Sequence, residues 1–182
     1  MKTGVIIPNT ARDAVPGTAP DFDAARFRDV LGRFCSGVTV VTVSLGGHTT
    51  GLTCQSFMSL SLDPPLVAFA PAVTSRSYPT IREAGRFAAN ILAEDQAELA
   101  TAFARSGGDK FAGVLWRREV TGAPLLDGTV GHVECELVEE YPIGDHLLVV
   151  GRVVALAGHQ DAAPLLFFRG SFEALSAGPR QV

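Results

Sequence analysis

The chain is short of charge: 19% of its 182 residues are Asp, Glu, Lys or Arg, and its 15 basic residues form no cluster. Nucleic-acid surfaces and polybasic membrane patches are built from dense cationic contacts, so a formal net charge of -4 without such a cluster excludes both as expected partners. No apolar run approaches the roughly 20 residues that span a bilayer. The "GVII" after Met1 and Lys2 is too short for a signal-peptide core, which makes the cytoplasm the expected location. Cysteine is scarce too. Cys35, Cys54 and Cys135 show no CxxC spacing, so neither a disulfide framework nor a zinc site is indicated, and each reads as a small buried hydrophobe.

The common catalytic signatures are also missing. There is no GxSxG elbow, no GxxxxGK[ST] loop, no GxGxxG after a strand and no HExxH, which excludes the Rossmann and P-loop classes. His48, His132, His146 and His159 stand singly, with no pair at ligand spacing on one element, so a metal centre would need a tertiary meeting of residues.

What is present is apolar. With 47% hydrophobic residues, 182 positions suffice to bury one real core, and no internal repeat or second domain boundary is visible. Residues 1–20, ending "DAVPGTAP", lack periodicity and read as a flexible arm; the domain proper is expected over 21–178, with a tail at 179–182. In "DFDAARFRDVLGRF", Phe27, Val30, Leu31 and Phe34 recur at helical spacing behind Asp23, a suitable N-cap.

Val- and Thr-rich runs follow, with a hairpin turn expected at Leu45–His48 and a tight connection at Asp63-Pro64-Pro65. "SRSYPTIREAG" reads as a short helix capped by Ser77 and stopped by Gly85. "RFAANILA" reads as a strand and "EDQAELATAFARS" as a helix with Leu99, Ala102 and Phe103 on one face. Two strands joined by Tyr141 to Asp145 and one last short strand in "PLLFFRGSFEAL" complete the pattern. Strands outnumber helices and many are apolar on both sides, so a mainly β, closed antiparallel barrel with appended helices is expected.

Three polar segments interrupt this apolar background. In "TGLTCQSFMSLSLDPP", strand alternation would put Thr53, Gln55 and Phe57 on one face and Cys54 and Ser56 on the other. That face suits a flat polar ligand, and it equally suits an edge strand facing water. "TSRSYP" precedes a Pro-started helix whose free backbone N–H groups suit a phosphate, or merely an ordinary cap. In "YPIGDHLLVVGRVVAL", Gly144 permits a tight turn and Asp145 can fix the tautomer of His146, a rim residue of the following strand.

From Phe27 to Leu175 the chain resembles the flavin reductases of the FMN-binding split-barrel fold, the components that feed reduced flavin to two-component monooxygenases. The matching stretches are "FRDVLGRFCSGVTVVT", "GLTCQSFMSLSLDPPLV", "FAANILAEDQAELATAFA", "DKFAG" and "YPIGDHLLVVGRV". The resemblance implies an α+β split barrel and an NAD(P)H:flavin oxidoreductase that reduces FMN or FAD by hydride transfer, without an obligatory catalytic acid or base.

By the same resemblance Thr39, Val40, Thr53, Cys54, Gln55, Ser56 and Phe57 line the flavin, while Ser75, Arg76 and Ser77 hold its phosphate. Gly144, Asp145 and His146 receive the nicotinamide nucleotide, with His146 the residue that positions it. Where the family usually reads Thr-Ala-Asn-Ser, this chain has Cys54-Gln55 in the middle, which keeps an amide one methylene further out. Lys110 and Phe111 match the family's "DKF" stretch and receive no contact from the resemblance. NADH is expected ahead of NADPH because no arginine cluster offers a 2′-phosphate pocket. A homodimer and a partner monooxygenase served by diffusing flavin complete the implied picture. The alternatives are a flavin- or haem-binding barrel that acts as carrier or sensor, a relative of the pyridoxamine-phosphate oxidases, and an unrelated barrel for an apolar ligand.

Overall fold

The helical spacing of Phe27, Val30 and Leu31 yields α1 (Ala24–Leu31) in the computed structural model, which describes residues 21–159 and 162–175. The arm at 1–20 and the tail at 179–182 lie outside the described residues. Asp23 caps α1 as its side chain predicts, Oδ1 accepting from the Arg26 backbone N–H at 2.8 Å. The apolar stripe of α1 has no full cover among the described residues: Phe27, Val30 and Leu31 are each 52% exposed and Phe34 is 80% exposed.

After α1 come β1 (Ser36–Gly37), β2 (Thr39–Leu45), β3 (His48–Cys54), β4 (Met58–Leu62) and β5 (Pro65–Phe69). Next are α2 (Tyr78–Ala84), β6 (Arg86–Ile91), α3 (Ala97–Ala104), β7 (Trp116–Arg118) and β8 (Pro124–Leu126). The chain ends with β9 (Gly131–Ile143), β10 (His146–Gly158), β11 (Leu166–Phe168) and β12 (Ser171–Glu173). The main sheet is antiparallel in the order β3-β2-β6-β9-β10-β5-β4. β3 and β4 are its two edges and do not pair, so the barrel is split rather than closed. Gln55, Ser56 and Phe57 cross between these edges outside any strand, and the Ser56 hydroxyl accepts from Ala70 N–H at 2.8 Å, a side-chain tie where a ladder would otherwise run.

Inside the barrel Val41, Phe69, Phe87, Cys135 and Val149 pack with Tyr78 and Ile81 of α2. Outside it, Val38, Val40, Leu92 and Leu126 pack with Ala100 and Phe103 of α3. A fully buried side chain of this size contributes about 1.5–3 kcal/mol relative to an exposed one. Buried Asn90 ties these layers, donating to Val40 O at 3.1 Å and accepting from Leu126 N–H at 2.8 Å. The α2 surface is fastened to β9 by Glu140, which accepts from Tyr78 and from Arg82 Nε.

Several details differ from the sequence expectation. Tyr141-Pro142-Ile143 continue β9, and the turn is only Gly144-Asp145. β6 accompanies β9 no further than Glu136, and Pro142 faces Leu147, whose N–H points away to Pro71 O, so the missing proline N–H costs no ladder bond. "PLLFFRGSFEAL" makes two short strands, β11 and β12, because Arg169-Gly170 turns the chain between them. On α3 the buried face is Ala100 and Phe103; Leu99 is half-buried and Ala102 exposed. Cys35 is exposed, whereas Cys54 and Cys135 are buried, the Cys135 thiol being pushed up to about 12 by burial and by the neighbouring Glu134. No helix among the described residues is long and apolar enough to cross a membrane.

Candidate active site

A cleft of about 740 Å³ opens where the split edge of the barrel meets α3 and the segment after β5. That volume lies within the range of about 300–1,000 Å³ common for small-molecule sites. Its walls come from β3 and the crossing residues Gln55 and Ser56, from residues 70–77, and from the end of α3 and the residues that follow it to Lys110, with His146 at the wall as well. Arg76, Arg105 and Lys110 line it, and among the described residues no carboxylate does. On a chain of net charge -4 this is a local reversal of sign, the field that draws and holds a polyanion.

Local packing fixes the walls. β3 can lie close under α3 because position 51 is glycine: a Cβ there would sit 2.9 Å from the Phe103 ring and 2.8 Å from Val41 O. Thr53 Oγ1 donates to Ala100 O at 2.6 Å, and Lys110 Nζ donates to Gly51 O and Phe103 O, each at 2.9 Å. Lys110 thus joins β3 to the C-terminal end of α3, where a cation is favoured by the helix dipole. Burial lowers its pKa. Phe111, its neighbour, packs edge-on against Phe103 and Trp116 rather than facing the cleft.

His146 reaches the wall through backbone pairing. Gly144, at φ 60°, takes the left-handed position of the two-residue turn, and β10 then pairs across to the segment after β5. An Ala72–His146 bridge, Val73 N–H to Asp145 O (3.0 Å) and Leu147 N–H to Pro71 O (3.0 Å) hold the turn against the cleft. Asp145 Oδ1 lies 2.7 Å from His146 Nδ1, a contact that holds the exposed Asp145 carboxyl below its ordinary pKa. An ionised carboxylate only accepts, so Nδ1 carries the proton and Nε2 is the free ring nitrogen.

Of the residues expected from the sequence, Thr53, Cys54, Gln55, Ser56, Ser75, Arg76, Ser77 and His146 meet on this one cleft. Thr39 and Val40 do not line it: Val40 is fully buried against α3, and buried Thr39 donates to Cys54 O at 3.0 Å, fixing the end of β3 from behind. Phe57 packs on the barrel core, and Gly144 and Asp145 form the turn beside the cleft. The Ser77 side chain does not cap α2. It donates to Gly51 O at 2.7 Å, while Ser75 Oγ accepts from Tyr78 N–H at 3.3 Å.

Because β3 ends at Cys54, strand alternation stops there, yet Cys54 Sγ and Ser56 Oγ do lie together, 3.1 Å apart. Burial raises the pKa of the Cys54 thiol, which is held neutral. Gln55 is exposed and makes no side-chain hydrogen bond among the described residues, so its amide is available to a ligand. Sequence reasoning missed His48, Thr50 and Arg105, and matched Lys110 to the "DKF" stretch without giving it a contact. The run "ARSGGDK" carried a signal for both cations, which flank a Gly-Gly break directly after a helix.

Hydroxyl and amide groups on the same wall as Arg76, Arg105 and Lys110, with no lining carboxylate among the described residues, suit a planar heterocycle bearing phosphate. Residues 31–176 match the flavin reductase like domain family. The reductase subunit HsaB of a flavin-dependent monooxygenase from Rhodococcus jostii is 44% identical over 154 residues, 85% of this chain and 79% of that protein. The FMN reductase (NADH) SmoA of Agrobacterium fabrum is 41% identical over 146 residues, 80% of this chain and 83% of that protein. The solved NADH:FAD oxidoreductase SgcE6 of Streptomyces globisporus, in complex with NAD and FAD fragments, superposes with a TM-score of 0.82 at 34% identity, covering 86% of this chain and 95% of that one.

Proposed function

The chain belongs to the flavin reductase like domain family, and from that premise we propose that it is an NADH-dependent reductase of FMN or FAD that supplies reduced flavin to a partner monooxygenase. The observation that carries this reading is the carboxylate-free cleft with Arg76, Arg105 and Lys110 on its wall and His146 at its rim. When both are bound, the nicotinamide and flavin cofactors supply the chemistry, a hydride passing from one ring to the other.

The protein's part is alignment. Thr53, Cys54, Gln55 and Ser56 form the surface for the ring system, with the Gln55 amide free to bond its polar edge and Thr39 bracing Cys54 from behind. Ser75 and Arg76 take the phosphate end, and Ser77 holds β3 and α2 together beneath them. His146, its tautomer set by Asp145, presents Nε2 to the incoming nicotinamide nucleotide. Fixing two reactants face to face lowers the barrier without a general acid or base.

A homodimer belongs to the same reading: the uncovered apolar faces of α1 (Phe27, Val30, Leu31) and β4 (Met58, Leu60, Leu62) support it. The open cleft supports a flavin that leaves as a diffusing product. Fluorescence titration of FMN against riboflavin tests the phosphate end. FMN should bind about 10- to 100-fold more tightly, a gap of one or two charge-assisted bonds, and Arg76→Ala should close most of it. Equal affinity of the wild type for both would contradict the placement of the phosphate.

A further inference from the structure

Glu119, His132 and Glu134 meet away from the cleft, each offering one oxygen or ring nitrogen within 4.8 Å of the others. His132 and Glu134 stand two apart on β9 and so share a face, and Glu119 reaches them from the loop between β7 and β8. We propose that these three side chains form a binding site for a divalent ion of the zinc class, with water as the fourth ligand.

The first support is His132. Its ring is 2% exposed, Nδ1 is 2.7 Å from His159 Nε2, and Nε2 has no hydrogen bond among the described residues. Nε2 faces Glu119 Oε2 at 4.0 Å. On its open side Nε2 looks toward the exposed Glu119 side chain, with no other partner among the described residues. A histidine ligand whose second nitrogen is held by another group is the usual arrangement at metal sites.

The second support is Glu134, fully buried and without a Lys or Arg partner among the described residues. Its Oε2 accepts from Thr121 N–H (2.7 Å) and Thr121 Oγ1 (2.6 Å), and Oε1 from Val120 N–H (3.2 Å). These bonds orient the carboxylate and leave lone pairs. A buried carboxylate is costly without a cation, and the buried imidazole beside it is the complementary ligand. Glu119 uses Oε1 to accept from Arg117 Nε at 2.9 Å, which turns Oε2 toward His132.

One imidazole and two carboxylates are a borderline donor set, suited to zinc and its neighbours rather than to magnesium or calcium. Ligand atoms in a tetrahedral zinc site stand roughly 3.4 Å apart, so the exposed Glu119 side chain must swing inward to close the set. The bound ion would clasp the loop between β7 and β8 to β9, and through His159 to the end of β10. It would act on stability, not turnover.

The test uses chelator-treated, tag-free protein. Added Co²⁺ should give one equivalent of visible d–d absorption that Zn²⁺ displaces, and Zn²⁺ at a hundredfold excess over its Kd should raise Tm by about 5–10 °C, Mg²⁺ having no effect. Glu119→Gln should lose both signals while retaining flavin reduction and its circular dichroism spectrum, and His159→Ala should weaken Zn²⁺ about 10- to 100-fold. Absence of the Co²⁺ band and the Tm rise in the wild type, or their persistence unchanged in Glu119→Gln, would overturn the assignment.

Discussion

His146 owes its place to three neighbours rather than to its own strand. Gly144 makes the turn, Asp145 fixes the ring tautomer, and the Ala72 bridge holds the imidazole at the cleft. A side chain that positions NADH should affect that substrate alone. For His146→Ala the KM for NADH should rise about tenfold, the loss of roughly one hydrogen bond, with the flavin KM nearly unchanged. Steady-state kinetics with each substrate varied in turn checks this, and an NADH KM equal to the wild type would remove the role. The polar residues of this site were legible because they stand out against an apolar chain. Thr39 and Val40 were not separable in the same way, since both lie on β2 and only packing reveals that they support the cleft from behind. Lys110 was likewise unreadable, because its two acceptors are backbone carbonyls 7 and 59 residues away.

At the scale of elements, the cleft depends on how closely α3 lies over β3. Gly51→Ala would drive a methyl group into the Phe103 ring and Val41 O. Overpacking of this kind costs about 1–3 kcal/mol, and chemical denaturation should register it together with weaker flavin binding; unchanged stability and affinity would mean that α3 can shift freely. The sequence disclosed helices and strands wherever periodicity and caps agreed, as in α1 behind Asp23 and β6 after Gly85. It disclosed less where long-range pairing decides. Pro142 looked like a turn because proline removes a ladder donor, but the edge of β9 beyond Glu136 has no partner there to miss it. β1 and β7 are two and three residues long and exist only because β11 and β8 lie beside them. On α3 the expected Phe103 is buried and Leu99 packs beside it, while Ala100 takes the place expected of Ala102, because alanines on both sides give the stripe no contrast.

Among the described residues, apolar surface on α1 and on β4 stays open. Sedimentation velocity at micromolar concentration should therefore show a dimer, and Leu31→Glu, placing a charge in the middle of that surface, should shift it toward monomer; a wild-type monomer would contradict the dimeric reading. The split of the barrel has the same global logic. Apolar strands announced a barrel, and only the resemblance implied a split one; Gln55, Ser56 and Phe57 cross between its two edges, and Gln55 and Ser56 form one side of the cleft. The most direct test of the account is anaerobic oxidation of NADH by the purified protein with FMN, with FAD and with no added flavin. Flavin-dependent turnover is the predicted result. Tight flavin binding without NADH oxidation would contradict it and make the protein a flavin carrier.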